Sequence, residues 1–202
     1  MSGVSSTFLT NAFEGSRVAV IDIAGFVADL KEHSVEHGFH VHDDRHFVES
    51  YSLLQTWEVD LHPEEGCEGP VDLYLALEID PRVLLGFEDV LLALPEDEEP
   101  NDEYYFPLNF TWALPPLPTG PDLLVLATDL AGIGGPDLPL EVSATDSFPS
   151  VTDAPEHSLR IVAHQRVSLV RIRTGEEVPC EMLERCLNVS RYLLERAPNW
   201  LG

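Results

Sequence analysis

The chain has 202 residues, of which 44% are hydrophobic and 8% aromatic, and this composition excludes a disordered protein. Its 36 acidic and 11 basic residues give a formal net charge of −25, which disfavours binding to nucleic acids and to anionic membranes. With three cysteines, no long apolar run and no secretory signal pattern, the sequence predicts a cytoplasmic protein without a disulfide framework.

The first half of the chain begins with a predicted helix and continues with two predicted strands. Between Ser16 and Gly38 the apolar residues recur at helical spacing, although a short strand followed by a helix from about Gly25 fits as well. An alternation with a period of two predicts one long strand from His46 to Leu61. A second alternation over 71–79 predicts its antiparallel partner, after a turn at 63–70.

The middle of the chain contains a well-delimited helix and a strong strand. Asp80 and Pro81 are an N-cap and a first-turn proline, so they predict a helix that ends before Pro95. The segment 95–103 is almost wholly acidic and is expected to be a loop. Alternating aromatic and aliphatic residues over 104–114 then predict a strand.

The last third of the chain is predicted to hold more strands and a terminal helix. The segment 122–128 is apolar at both parities, which is typical of a central strand, and 140–144 predicts a short one. The β-prone run 159–173 changes parity near residue 164 and indicates either one bent strand or two. From Pro179 onward an apolar arc predicts an amphipathic helix.

Together these elements predict a single α+β domain over residues 1–202. We expect a mainly antiparallel sheet of about five to six strands, with helices on one face and the C-terminal helix as their main member. The N-terminal segment of about 15 residues and the acidic loop 95–103 are expected to be mobile.

One short segment contains five of the eight histidines, together with two aspartates. Imidazole and carboxylate groups bind Zn²⁺ and Ni²⁺, so this segment is the candidate metal site, although its spacing matches no known metal-binding signature. The alternative interpretation is a solvated helix end followed by a polar turn. The candidate ligands are His33, His37, His40, His42 and His46.

Other catalytic patterns are absent from the sequence. The glycine-rich segment 131–135 lacks the lysine and the helix that a phosphate loop needs, and no serine or cysteine lies in a setting that would activate it. We therefore expect a non-catalytic interaction module, such as an adaptor, an inhibitor or a chaperone-like protein, with no cofactor.

Its acidic loops would bind a basic protein partner, and the candidate contact residues are Glu96, Asp97, Glu98 and Glu99. The alternatives are a small metal-dependent hydrolase or ligand-binding domain built on the segment 33–46, and an acidity that is an adaptation to high salt.

Overall fold

The computed structural model describes residues 21–95, 98–148, 156–176 and 180–202. Six antiparallel strands form one sheet in the order β1-β2-β3-β4-β6-β5, which confirms the predicted α+β class. None of the helices in these ranges has the length and hydropathy needed to span a bilayer. The elements are α1 (Ile23–Glu36), β1 (Phe39–Val48), β2 (Gln55–Pro63), β3 (Asp72–Ile79), α2 (Pro81–Ala93), β4 (Tyr105–Ala113), α3 (Leu123–Gly134), β5 (Leu140–Ser147), β6 (Glu156–Ser168), α4 (Leu169–Thr174), α5 (Cys180–Arg196) and α6 (Pro198–Leu201).

The two faces of the sheet differ because residues alternate along each strand. On the covered face the strands contribute a fully buried apolar layer that includes Leu75, Phe110 and Ile161. Helices α1, α3 and α5 pack beside this layer, α1 against β1 and α5 against β2 and α3. On the open face the neighbouring positions carry polar side chains that are half-buried or exposed, such as Tyr74 and Thr111.

Helix α5 confirms the prediction of an amphipathic C-terminal helix. One face of the helix is buried in the core, and Trp112 on β4 donates a hydrogen bond of 2.8 Å to the Ser190 hydroxyl on that face. Beside it, Tyr192 donates to the Asp129 carboxylate on α3 at 2.6 Å. The sheet, α3 and α5 are therefore joined by polar contacts as well as by apolar packing. The buried residues of α5 are Leu183, Cys186, Leu187, Val189, Ser190 and Leu193.

The predicted single strand from His46 to Leu61 is wrong. A turn that separates β1 from β2 interrupts it, and two hydrogen bonds of 2.9 Å between Glu49 and the backbone of Leu53 and Leu54 close this turn. Leu53 has a φ of 59°, and Tyr51 is fully exposed. The apolar residues of the turn happen to continue the alternation of the flanking strands, so the pattern concealed the turn.

The segment 122–128 is also different from its prediction, because it begins helix α3. The Asp122 carboxylate accepts hydrogen bonds from the backbone N–H groups of Leu124 and Val125, and these satisfy two groups that a helix start leaves free. An apolar run fits a buried strand or a buried helix equally well, and here the capping aspartate decides between them.

Capping contacts also fix the end of β6, where α4 begins, and the start of α1. Strand β6 pairs with β4 without a register shift, so it has no bulge near residue 164. The buried residues of β6 keep one parity through Val167, and the pattern changes only where α4 begins after Ser168, whose hydroxyl accepts from the Arg171 N–H at 3.2 Å. At the start of the described chain, the Asp22 carboxylate caps α1. Ser16 and the expected mobile segment of about 15 residues lie outside the described residues.

Candidate metal centre

The β1–β2 hairpin places several histidines at one end of the sheet. His40 on β1 pairs directly with His62 on β2, and Val41 pairs with Leu61. The next pair is Asp43 with Asp60, so His42 is the extra residue of a β-bulge. The ring centroids of His42 and His62 are 4.3 Å apart, and those of His40 and His42 are 6.3 Å apart.

The turn that follows β2 contributes a cysteine to the same place. This turn begins with a 3₁₀ segment, Glu64–Gly66, and Cys67 follows it with a half-buried side chain. A Cβ atom added to Gly66 would lie 2.4 Å from a methyl carbon of Leu194, so α5 packs directly on the turn. A contact between Glu65 and Arg191 of α5 adds a polar link. Cys67 is therefore held by the core and not by a free loop.

The cysteine and two of the histidines form a compact group of donors. His40 Nδ1 lies 2.8 Å from Cys67 Sγ. Donor atoms of His40, His42 and Cys67 all lie within 4.8 Å of one another. Ligand atoms of a tetrahedral zinc ion are about 3.5 Å apart, because zinc bonds to nitrogen and sulfur measure about 2.0–2.3 Å. Two imidazoles and a thiolate are donors that suit this ion.

His62 lies beside this group and has two nitrogens in different surroundings. Its Nε2 lies 3.3 Å from a carboxylate oxygen of Asp72 on β3. Its Nδ1 is buried and has no hydrogen-bond partner among the described residues. Burial lowers the pKa of His62, and the electrostatic influence of the neighbouring His42 lowers it further, whereas Asp72 and Asp60 oppose this shift. The neutral imidazole that this favours is the form that binds metal ions.

The structure separates the other three predicted ligands from this group. His33 lies on α1, where its ring contacts Glu36 at 3.2 Å, and His37 is the residue that ends the helix. His46 pairs with Trp57, stacks on its ring at 4.0 Å and contacts Gln55 at 3.0 Å. Of the five predicted ligands, the described structure thus brings together His40 and His42.

The bulge explains why His46 is apart. In a regular strand, residues 40, 42 and 46 would share one face. Because His42 is an extra residue, Arg45 and not His46 follows on the open face, where it binds the Asp60 carboxylate at 2.8 Å and 3.0 Å. His46 therefore points to the covered side, together with Asp44, which contacts Lys31 of α1 at 2.7 Å.

Sequence reasoning missed Cys67 and His62. Cys67 lies 27 residues after His40 on an acidic turn, and the sequence carries no spacing signal that joins the two. A predicted hairpin between β1 and β2 would have brought His62 close to this segment, but its regular register pairs residue 62 with residue 41. The bulge at His42 shifts the register by one, so that His40 pairs with His62.

The acidic candidates for partner binding lie between α2 and β4 in the sequence. Glu98 and Glu99 are exposed there, while Glu96 and Asp97 lie outside the described residues. The open face of the sheet adds a groove of about 450 Å³, in which Asn109 links Glu78 at 3.2 Å to His164 at 2.7 Å. This groove is lined by further polar side chains and is separate from the donor group of His40, His42 and Cys67.

Comparisons with protein-family models, with curated proteins and with solved structures found no match to this chain. The arguments about its function therefore depend on its own residues and their geometry.

Proposed function

We propose that this domain binds a divalent transition-metal ion through His40, His42 and Cys67, and that zinc is the ion its donors suit best. The observation that carries the proposal is the convergence of three donors from two separate segments, with all donor atoms within 4.8 Å. A thiolate among the ligands favours zinc over hard cations such as Mg²⁺ and Ca²⁺. The net charge of −25 also raises the local concentration of cations.

The site is supported on both sides by rigid structure. The two histidines lie on a paired strand, and the cysteine lies on a turn that α5 covers through Leu194. Ligands held by packed elements need little ordering when the ion binds, so less binding free energy is lost. The exposed rings of His40 and His42 leave an entry path for the ion.

A calorimetric titration of the metal-free chain with Zn²⁺ tests this proposal. We expect saturable binding of about one equivalent per chain. The double variant His40→Ala, His42→Ala should remove it, and Cys67→Ser should weaken it strongly, because serine is not a comparable zinc ligand.

The chain supplies a matched control for this titration. The double variant His33→Ala, His37→Ala removes two histidines of the same segment that lie outside the donor group, so zinc binding should persist unchanged. An unaltered wild-type chain without saturable binding would end the proposal. An equal loss in both double variants would show that zinc binds to the histidine-rich segment non-specifically.

A second function, a non-catalytic module that binds a basic protein, is favoured by the uncovered acidic surface. The open face of the sheet carries Glu58, Asp60 and Glu78, and the loop beyond α2 exposes Glu98 and Glu99. Acidic surfaces of this kind raise the association rate of a basic partner and are screened by salt, over about 8 Å at physiological ionic strength.

Two variants separate the two acidic surfaces in a binding experiment. One neutralises all four acidic residues of 96–99, and the other is Glu58→Gln, Glu78→Gln. We expect a basic protein captured at low salt to associate more slowly with at least one variant, while both variants keep the wild-type melting temperature. Unchanged association rates in both would contradict the proposal. A fold that becomes markedly more stable in molar salt, with no captured partner, would instead indicate adaptation to high salt.

A further inference from the structure

A third histidine belongs with the three proposed ligands by its position. His62 lies opposite His40 on the neighbouring strand, and its ring is 4.3 Å from the ring of His42. Its side chain is only 15% exposed, whereas His40 and His42 are exposed. Cross-strand partners have Cβ atoms about 5 Å apart, so the two imidazoles can reach one ion. His62 lies outside the group whose donor atoms are all within 4.8 Å of one another, so its ring would move toward the ion on binding.

The two nitrogens of His62 are differentiated in the way that a metal ligand requires. The Asp72 carboxylate, 3.3 Å from Nε2, can only accept a hydrogen bond, so it favours the tautomer with the proton on Nε2. Nδ1 then presents a lone pair, and it is buried without a partner among the described residues. A buried polar atom without a partner is unfavourable, and a bound cation would satisfy it.

We infer that His62 is the fourth protein ligand of the centre and that Asp72 is the residue that positions it, which makes the centre a closed site with three histidines and one cysteine. The inference rests on the proposed metal binding and goes beyond it. A carboxylate that contacts the second nitrogen of a ligating histidine is a common arrangement in zinc proteins, where it fixes the tautomer and the ring orientation. The bulge at His42 and the turn before Cys67 bring the remaining donors to the same end of β2.

A closed shell determines what the ion can do. Four protein ligands leave no position for a water molecule, so the ion cannot activate water for hydrolysis. The ion would instead join three segments: β1 through His40 and His42, β2 through His62, and the turn through Cys67. An ion that binds the folded state stabilises it and raises its melting temperature. The role of the ion in this domain would therefore be structural or metal-sensing.

Cobalt substitution tests the coordination number directly. Co²⁺ occupies zinc sites, and its thiolate charge-transfer band and its d–d bands report the cysteine ligand and the tetrahedral geometry. The wild-type chain should give a tetrahedral spectrum with a thiolate band. His62→Ala and His62→Gln should keep the thiolate band, weaken the d–d bands as water enters the shell, and lower the affinity for Co²⁺ at least tenfold.

Asp72→Asn separates the positioning role from ligation. This variant keeps all four ligands, so the tetrahedral spectrum should remain while the affinity falls by about 10–100-fold. His164→Ala is the matched control, because His164 lies on the same sheet face but on β6, bonded to Asn109. Its spectrum and affinity should equal those of the wild type.

The outcomes distinguish this inference from the proposed function. If both His62 variants keep the wild-type spectrum and affinity while His40→Ala, His42→Ala loses them, His62 is not a ligand and the three-ligand site stands. If the wild-type chain gives no thiolate band at all, Cys67 is not a ligand and the proposed site of His40, His42 and Cys67 is contradicted. Circular dichroism and thermal melting of each variant without metal show whether it is folded. Two His62 variants are used so that the test still stands if one of them does not fold.

Discussion

The covered and open faces of the sheet are built from alternate residues of the same strands, yet they differ in burial and polarity. On β4, Phe110 is fully buried under the helices, while the adjacent Thr111 faces a polar groove. The same contrast holds for two of the three cysteines, since Cys186 is buried in the core and Cys67 contacts a histidine near the open face. Burial of the covered face supplies most of the stabilisation of the fold, and the open face is where polar side chains can be placed at little cost in stability.

This contrast teaches where to look for function in such a fold. Polar groups on the covered face are few: the Trp112 indole donates to Ser190, whereas the buried Trp57 Nε1 has no hydrogen-bond partner among the described residues. On the open face the polar groups are numerous, and the unpartnered Nδ1 of His62 is buried at its end. The candidate site is indicated by the donor group of His40, His42 and Cys67, which lies where the open face meets the turn after β2. The predictions below test the contrast, from the largest expected effect to the smallest.

The two cysteines should differ most strongly in reactivity. Burial raises the pKa of the Cys186 thiol well above its usual value, and the side chain is inaccessible. Its alkylation requires unfolding, so in the native chain it should react on the order of 10³-fold more slowly than Cys67. Mass spectrometry after a timed pulse of iodoacetamide measures both rates. Comparable rates would mean that α5 is not docked on the core.

Adjacent substitutions on β4 should differ in stability by several kcal/mol. Phe110→Ala removes a fully buried ring and should lower the free energy of unfolding by about 3–5 kcal/mol. Thr111→Ala, on the open face, should cost below about 1 kcal/mol. Urea unfolding of both variants provides the measurement. Equal costs would contradict the assignment of the two faces.

A smaller effect is expected from the polar contact inside the core. Ser190→Ala leaves the Trp112 indole N–H buried without its acceptor, at a cost of about 1–3 kcal/mol. The control is Ser143→Ala on the edge strand β5, where the hydroxyl is exposed and the change should lie within about 0.5 kcal/mol. Thermal unfolding compares the two variants. If the Ser190 variant is as stable as its control, the hydrogen bond between Trp112 and Ser190 does not contribute to the stability of the core.

The smallest effect should come from the ion pair on the open face. Arg45→Ala removes the contacts with Asp60 and Glu58, but the arginine is 42% exposed. We expect a loss of about 0.2–1 kcal/mol that diminishes as salt is added. A loss above that range, unaffected by salt, would show that the open face contributes to stability as the covered face does.

The sequence alone determined the elements whose local signals agree with their surroundings. The capped helix α2, the strands β3 and β4 and the apolar arc of α5 all follow from periodicity and capping residues. The predictions failed where one sequence pattern fits two structures. The turn between β1 and β2 continued the alternation of the flanking strands, and the apolar run of α3 fits a strand as well as a helix.

The candidate site was predictable only in part for the same physical reason. The density of histidines in 33–46 indicated metal binding, and two of its members, His40 and His42, do converge. Whether a histidine reaches the site depends on strand register and on one bulge, which are fixed by long-range pairing and not by local propensity. Cys67 and His62 lie near these two histidines because the turn packs against Leu194 of α5 and β1 folds back on β2, and only the tertiary structure decides such contacts.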